Sequence, residues 1–143
     1  MRVGILTWDN VFGRDCAAGT KRWIEITPGA ELTKEVYAHP MAMDYTTPLM
    51  VIKGTEPDLV ILGISGGGYG MGARDAVKVG LPEDVPLIEE ASGLAPGSAA
   101  LAGEAFKRVL APSPYYLWEE PEAKIVSEVN QKYRGGKYRG GFD

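Results

Sequence analysis

The sequence predicts an α/β fold: a single domain with a parallel sheet of four or five strands flanked by helices, a Rossmann-like or flavodoxin-like three-layer sandwich. Three observations carry this expectation. In residues 58–64, Asp58 leads into a continuous run of Val, Ile and Leu around one glycine, the pattern of a strand buried on both faces of a parallel sheet. Strand-like and helix-like segments alternate along the chain, as βα units do. The length of 143 residues, 45% of them hydrophobic, has room for one core and none for a second complete domain.

Each element has its own reason. Residues 3–8 are apolar β-formers ending at Asp9-Asn10, so they read as a buried first strand. Residues 9–19 read as a polar loop, and residues 23–27 as a second strand stopped by Pro28-Gly29. Between positions 32 and 53 the pattern is mixed, but Pro48 suits the first turn of a short helix over 48–53. After the strand at 58–64 comes a glycine-rich loop over 65–72, a strand at 85–88, an alanine-rich helix at 96–106 and a strand at 107–111. A last helix follows from Pro121, with acidic residues near its start, Glu120/Lys124 and Glu128/Lys132 spaced as i,i+4 pairs, and Ile125, Val126 and Val129 as its buried face. The domain is expected to span residues 1–131, with a Gly/Arg/Tyr-rich tail over 132–143.

Composition removes several function classes. Fifteen Lys and Arg against nineteen Asp and Glu give a net charge of -4, which excludes a uniformly basic surface for nucleic acid or anionic lipid. A lone cysteine, Cys16, permits no intrachain disulfide, and with a lone histidine, His39, no Cys/His metal cluster forms within one chain. No metal and no cofactor is therefore expected. The apolar run at the N-terminus is too short for a signal-peptide core and no segment approaches a membrane span, so a cytoplasmic protein without a membrane partner is the expectation.

In a parallel sheet, ligands bind beyond the carboxyl ends of the strands. Three loops should meet there: the one after Trp8, which includes Asn10; the one from Ser65 through Gly66, Gly67, Gly68 and Tyr69; and the one after Pro112, with Ser113 and Tyr115. Glycines free backbone N–H groups to converge on an anion, and Ser65 adds a hydroxyl. The same glycines equally suit a tight βα connection. No Lys-Ser/Thr follows them, so this is no Walker motif. Tyr115 can donate a proton or a hydrogen bond to a carboxylate, whereas Tyr116 fits an aromatic lid. Cys16 is a candidate nucleophile or base, with the inert buried thiol as its competing reading. His39 has no recognisable partner and reads as a surface or packing residue.

The C-terminus holds a tandem repeat, Lys132-Tyr133-Arg134-Gly135-Gly136 and Lys137-Tyr138-Arg139-Gly140-Gly141. Cations interleaved with tyrosine and glycine can bind RNA by charge and stacking. The alternative is a helix end and a flexible or subunit-contacting tail, and nucleic acid is not the expected partner.

The order of these motifs resembles one half of the aspartate/glutamate racemase superfamily, in its arylmalonate decarboxylase and maleate isomerase branch. The segments that carry the resemblance are Val3-Gly4-Ile5-Leu6, Gly63-Ile64-Ser65 with Tyr69-Gly70-Met71-Gly72, Val85-Pro86-Leu87-Ile88, and the stretch from Lys107-Arg108-Val109 to Pro114-Tyr115. The resemblance implies a cofactor-independent isomerase, racemase or decarboxylase that binds a small carboxylate. Ser65, the amides of residues 66–68 and Tyr115 would form the anion pocket, with Tyr115, Ser65 and Cys16 as catalytic candidates and Trp8, Asn10, Tyr69 and Ser113 as further ligand contacts. Ile64 stands where the family places a cysteine, and the second half is missing. An oligomer, of like or unlike subunits, is therefore expected to complete the site. The alternatives are a non-catalytic anion-binding or assembly subunit, and an RNA-associated module using the repeat.

Overall fold

A computed structural model describes residues 1–89, 96–112, 121 and 124–137. Five parallel strands form one sheet, as the sequence predicts, and their order is β2-β1-β3-β4-β5. The strands are β1 (Arg2–Trp8), β2 (Glu31–Ala38), β3 (Leu59–Gly63), β4 (Leu87–Glu89) and β5 (Val109–Leu110). The helices are α1 (Val11–Ile26), α2 (Thr46–Lys53), α3 (Gly67–Lys78), α4 (Pro96–Ala102) and α5 (Lys124–Arg134), with a 3-10 segment over Gly103–Arg108 after α4.

The two sheet faces are covered unequally. On one face, Leu6, Val60, Leu62, Leu87 and Val109 pack with Leu49 and Ile52 of α2, Tyr69, Ala73 and Ala76 of α3, and Ala102 and Ala105 beyond. On the other, Val3, Ile5 and Leu59 meet Ala17 and Ile24 of α1. This division follows from the right-handed crossover rule. The connection through α1 runs from β1 outward to β2, whereas those through α2, α3 and α4 run the opposite way across the sheet.

Three expectations are corrected. Residues 9–19 and 23–27 are not a loop and a strand but one 16-residue helix, α1. Asn10 starts it by accepting a hydrogen bond from the Gly13 N–H (2.8 Å), and its buried stripe is Gly13, Ala17 and Ile24. Small residues make that stripe easy to overlook, because they add little hydrophobicity while bringing the helix close to the sheet. The second strand lies instead at 31–38, with charged side chains suited to a sheet edge.

The glycine-rich stretch is also mostly helix: only residues 64–66 connect β3 to α3. Gly66 has φ of +54°, a left-handed conformation that favours glycine, and it turns the chain into α3. The glycines beyond it are packing positions. Lastly, Ile125, Val126 and Val129 of α5 are 74%, 55% and 52% exposed, and no residue of α5 is buried. The expected buried face is therefore solvent-facing among the described residues. Its helical ion pair joins Lys124 to Glu128 at 3.8 Å, and Gly135 and Gly136, both with positive φ, follow its last turn.

Candidate functional site

The chain leaves β1 toward α1 on one face of the sheet and leaves β3 toward α3 on the other. Adjacent strands whose connections diverge open a crevice at their carboxyl ends. The residues bounding it are Trp8 and Asn10 after β1, and Ser65, Gly66 and Gly67 after β3. These are the residues singled out from sequence at this edge.

Their geometry is specific. Trp8 is partly buried and reaches across to the turn, so that a Cβ on Gly68 would lie 3.2 Å from Trp8 Cζ2. The Trp8 indole N–H donates to the Tyr45 hydroxyl at 2.9 Å. Tyr45 is fully buried at the start of α2, where burial holds its phenol above the usual pKa. The N–H groups of Gly68 and Tyr69 close the turn on the carbonyls of Ser65 and Gly66. Ser98 of α4 braces it from outside, its hydroxyl donating to the Gly66 carbonyl at 3.0 Å.

Below the crevice, Thr7 Oγ1 lies 2.8 Å from both the Gly13 and Gly63 carbonyl oxygens, tying the start of α1 to the end of β3. The rim carries exposed apolar side chains: Val11 and Phe12 (78% and 37% exposed) after β1, Met41 and Met43 (79% and 73%) after β2, and Leu101 (46%) of α4 beside Gly67.

Other candidates sit elsewhere. Tyr69 is fully buried in the core cluster. Cys16 is on the inner side of α1 against Gly63, lining a cavity of about 450 Å³ with Thr20, Trp23, Ile61, Ile88 and Glu89 on the opposite sheet face. Ile64 is fully buried in the core. His39 accepts the Met41 backbone N–H at Nδ1, 3.1 Å, in the β2–α2 loop. Ser113 and Tyr115 lie outside the described residues. Among the described residues no cluster of His, Cys, Asp or Glu is placed to hold a metal ion, and no helix is long and apolar enough to cross a membrane.

Sequence reasoning missed Tyr45 and Asp75. Asp75 is fully buried in α3 and accepts the Tyr45 backbone N–H at 2.8 Å. A lone acid inside a helix gives no motif, although its place among the small apolar residues of α3 is a signal that it faces inward.

No protein-family model matches the sequence, nor does any curated protein. Solved structures do match its fold. A periplasmic binding protein type 1 from Bordetella pertussis Tohama I superposes with a TM-score of 0.80 at 21% identity, covering 99% of this chain and 38% of that one. A fatty acid ABC transporter substrate-binding protein from Thermomonospora curvata gives 0.79 at 19% identity, covering 94% and 34%. A branched-chain amino acid ABC transporter protein from Thermus thermophilus with bound valine gives 0.78 at 20%, covering 93% and 35%. The chain therefore spans little more than a third of the length of these structures.

These likenesses overturn the racemase-superfamily resemblance. The fold neighbours are a periplasmic binding protein, an ABC transporter substrate-binding protein and an ABC transporter protein with bound valine, and the isomerase, racemase and decarboxylase expectation falls with the resemblance that implied it. The motifs misled for a physical reason. A short apolar strand, a glycine turn and a small-residue helix are what any parallel βα unit requires, so their order tracks architecture rather than chemistry.

Proposed function

We propose that the chain is a binding lobe, forming one wall of a cleft for a small organic ligand bearing a carboxylate. The observation that carries this reading is the meeting of Trp8 with the Ser65–Gly68 turn where the β1 and β3 connections diverge. The site offers an aromatic surface beside hydrogen-bond donors, the Ser65 hydroxyl and the Gly66 and Gly67 amides, with the Asn10 side chain on the facing loop. Donors of this kind hold a carboxylate without needing a cation.

The fold neighbours support binding rather than turnover, since one holds valine and another is a fatty acid substrate-binding protein. Those chains are nearly three times as long, and the apolar rim of Val11, Phe12, Met41, Met43 and Leu101 gives a second lobe a surface on which to close. That lobe would come from the rest of a longer chain or from another subunit.

Titration calorimetry with L-valine, L-leucine and octanoate tests the reading. Binding of one of these, weakened at least about tenfold by Trp8→Ala and by Ser65→Ala, is the expected result. Saturable binding unaffected by either substitution would place the ligand elsewhere, and no binding by the chain alone or joined to a second lobe would remove the proposal.

A further inference from the structure

A chain of hydrogen bonds that begins on α3 ends at the Trp8 indole. Asp75 has no exposed surface. One carboxylate oxygen accepts the backbone N–H of Tyr45 at 2.8 Å and the other accepts Arg74 Nε–H at 2.9 Å. Arg74 also extends toward the Met43 carbonyl at 3.4 Å, so residues 43–45 of the β2–α2 loop are gripped from both sides. Tyr45 in turn offers its hydroxyl to the Trp8 indole N–H at 2.9 Å.

We propose that Asp75 is a positioning residue for the binding cleft: through the main chain of Tyr45 it sets the tyrosine hydroxyl, and through that hydroxyl the indole plane of Trp8 against the Gly66–Gly68 turn. This rests on the reading of that edge as a ligand site. The chemistry favours the assignment over simple core support. A buried carboxylate is expensive to maintain, and the same helix buries the apolar Ala73 and Ala76 at no such cost. The charge secures one N–H at the first turn of α2, where backbone donors lack helical partners. A charge-assisted bond is shorter and firmer than a neutral one. A site that must present an aromatic surface in one orientation gains from such a bond, because a rotating indole has to be ordered again at each binding event.

The test reads the indole directly. In ¹⁵N-labelled full chain, the Trp8 Nε1–H resonance is assigned by its loss in Trp8→Phe, which separates it from Trp23 and Trp118. Tyr45→Phe removes the acceptor and marks the unbonded position. Asp75→Ala should move the Trp8 resonance toward that position and speed its solvent exchange, whereas Asp75→Asn, whose amide oxygen can still accept the Tyr45 N–H but without the charge, should move it less than Asp75→Ala does. Should Asp75→Ala fail to fold, Asp75→Ser takes its place in the same spectrum.

Affinity for L-valine provides the second readout: a loss of about tenfold in Asp75→Ala, with Asp75→Asn within about threefold of wild type. A Trp8 resonance unchanged in Asp75→Ala and Asp75→Ser would overturn the relay. So would equal effects of the alanine and asparagine variants, the mark of a structural role alone. Absence of L-valine binding by wild type bears on the choice of ligand and leaves the indole spectra to decide the relay.

Discussion

Gly70 of α3 and Ser98 of α4 are in backbone contact: a Cβ on residue 70 would lie 2.3 Å from the Ser98 carbonyl oxygen and 2.7 Å from Leu101 Cβ. The helices cannot separate without moving the Gly66 turn, because Ser98 also holds the Gly66 carbonyl through its hydroxyl. Gly70→Ala, which would stabilise an unconstrained helix, should here destabilise the fold by about 1–3 kcal/mol through overpacking. Urea denaturation checks the sign. Gly19→Ala, on α1 with nothing within 4 Å of the added Cβ, serves as the control and should be neutral or stabilising.

That contact explains much of what was legible in the sequence. Residues 58–64 announced β3 because long aliphatic side chains fill both sheet faces, and the strand at 3–8 announced itself the same way. Helices α1 and α3 were harder to see. Both press against their neighbours through glycine and alanine, so the signal of burial is an absence of side chain, which resembles a loop. The edge strand β2 was hidden by the opposite cause: Glu31, Lys34 and Glu35 give it the polarity of a surface segment. Trp8, Asn10 and Ser65–Gly67 could be placed at one edge because βα topology alone brings those loops together. Tyr45 and Asp75 could not, since their roles depend on a hydrogen bond between a loop and a helix thirty residues apart.

Thr7 is the buried polar residue that joins α1 to β3. Its hydroxyl lies between the carbonyls of Gly13 and Gly63, and a Cβ on Gly63 would lie 2.5 Å from that oxygen. Thr7→Val keeps the shape, replaces the hydroxyl with a methyl group and sets it against two carbonyl oxygens. A cost of about 1–3 kcal/mol is expected from the lost donor and the poorer solvation of both acceptors, and thermal unfolding measures it. Thr7→Ser, which retains the donor, should recover most of that loss.

Arg108 closes the opposite side of the sheet. Its guanidinium bonds the carbonyls of Leu81 (3.1 Å), Val85 (2.7 Å) and Pro82, stitching the start of β5 to the loop that precedes β4. Burial lowers its pKa from the usual arginine value. A lysine at this position cannot reach three carbonyls from one planar fork. Arg108→Lys should therefore lower stability by roughly 1–3 kcal/mol and increase hydrogen exchange in residues 81–85 before the rest of the sheet, as exchange mass spectrometry would show.

Asp44 makes the start of α2 sensitive to acid. The Thr46 hydroxyl and backbone N–H both donate to its carboxylate, and Lys78 lies 3.3 Å away, so its pKa falls from 3.8 to about 2. A carboxyl more acidic in the folded than in the unfolded chain adds stability that is complete above the unfolded value and disappears as the pH falls through the folded one. The contribution of Asp44 should thus be constant from neutral pH down to about 5 and fade between about 4 and 2. Asp44→Ala should unfold at a lower temperature than wild type at pH 7, with the difference narrowing as the pH approaches 2. Asp44→Asn keeps an oxygen for the Thr46 N–H but does not titrate, so its melting temperature should converge on that of the wild type as the aspartate protonates. A difference between Asp44→Ala and wild type that stays the same from pH 7 to pH 2 would show that the Thr46 bonds do not depend on the charge of the carboxylate.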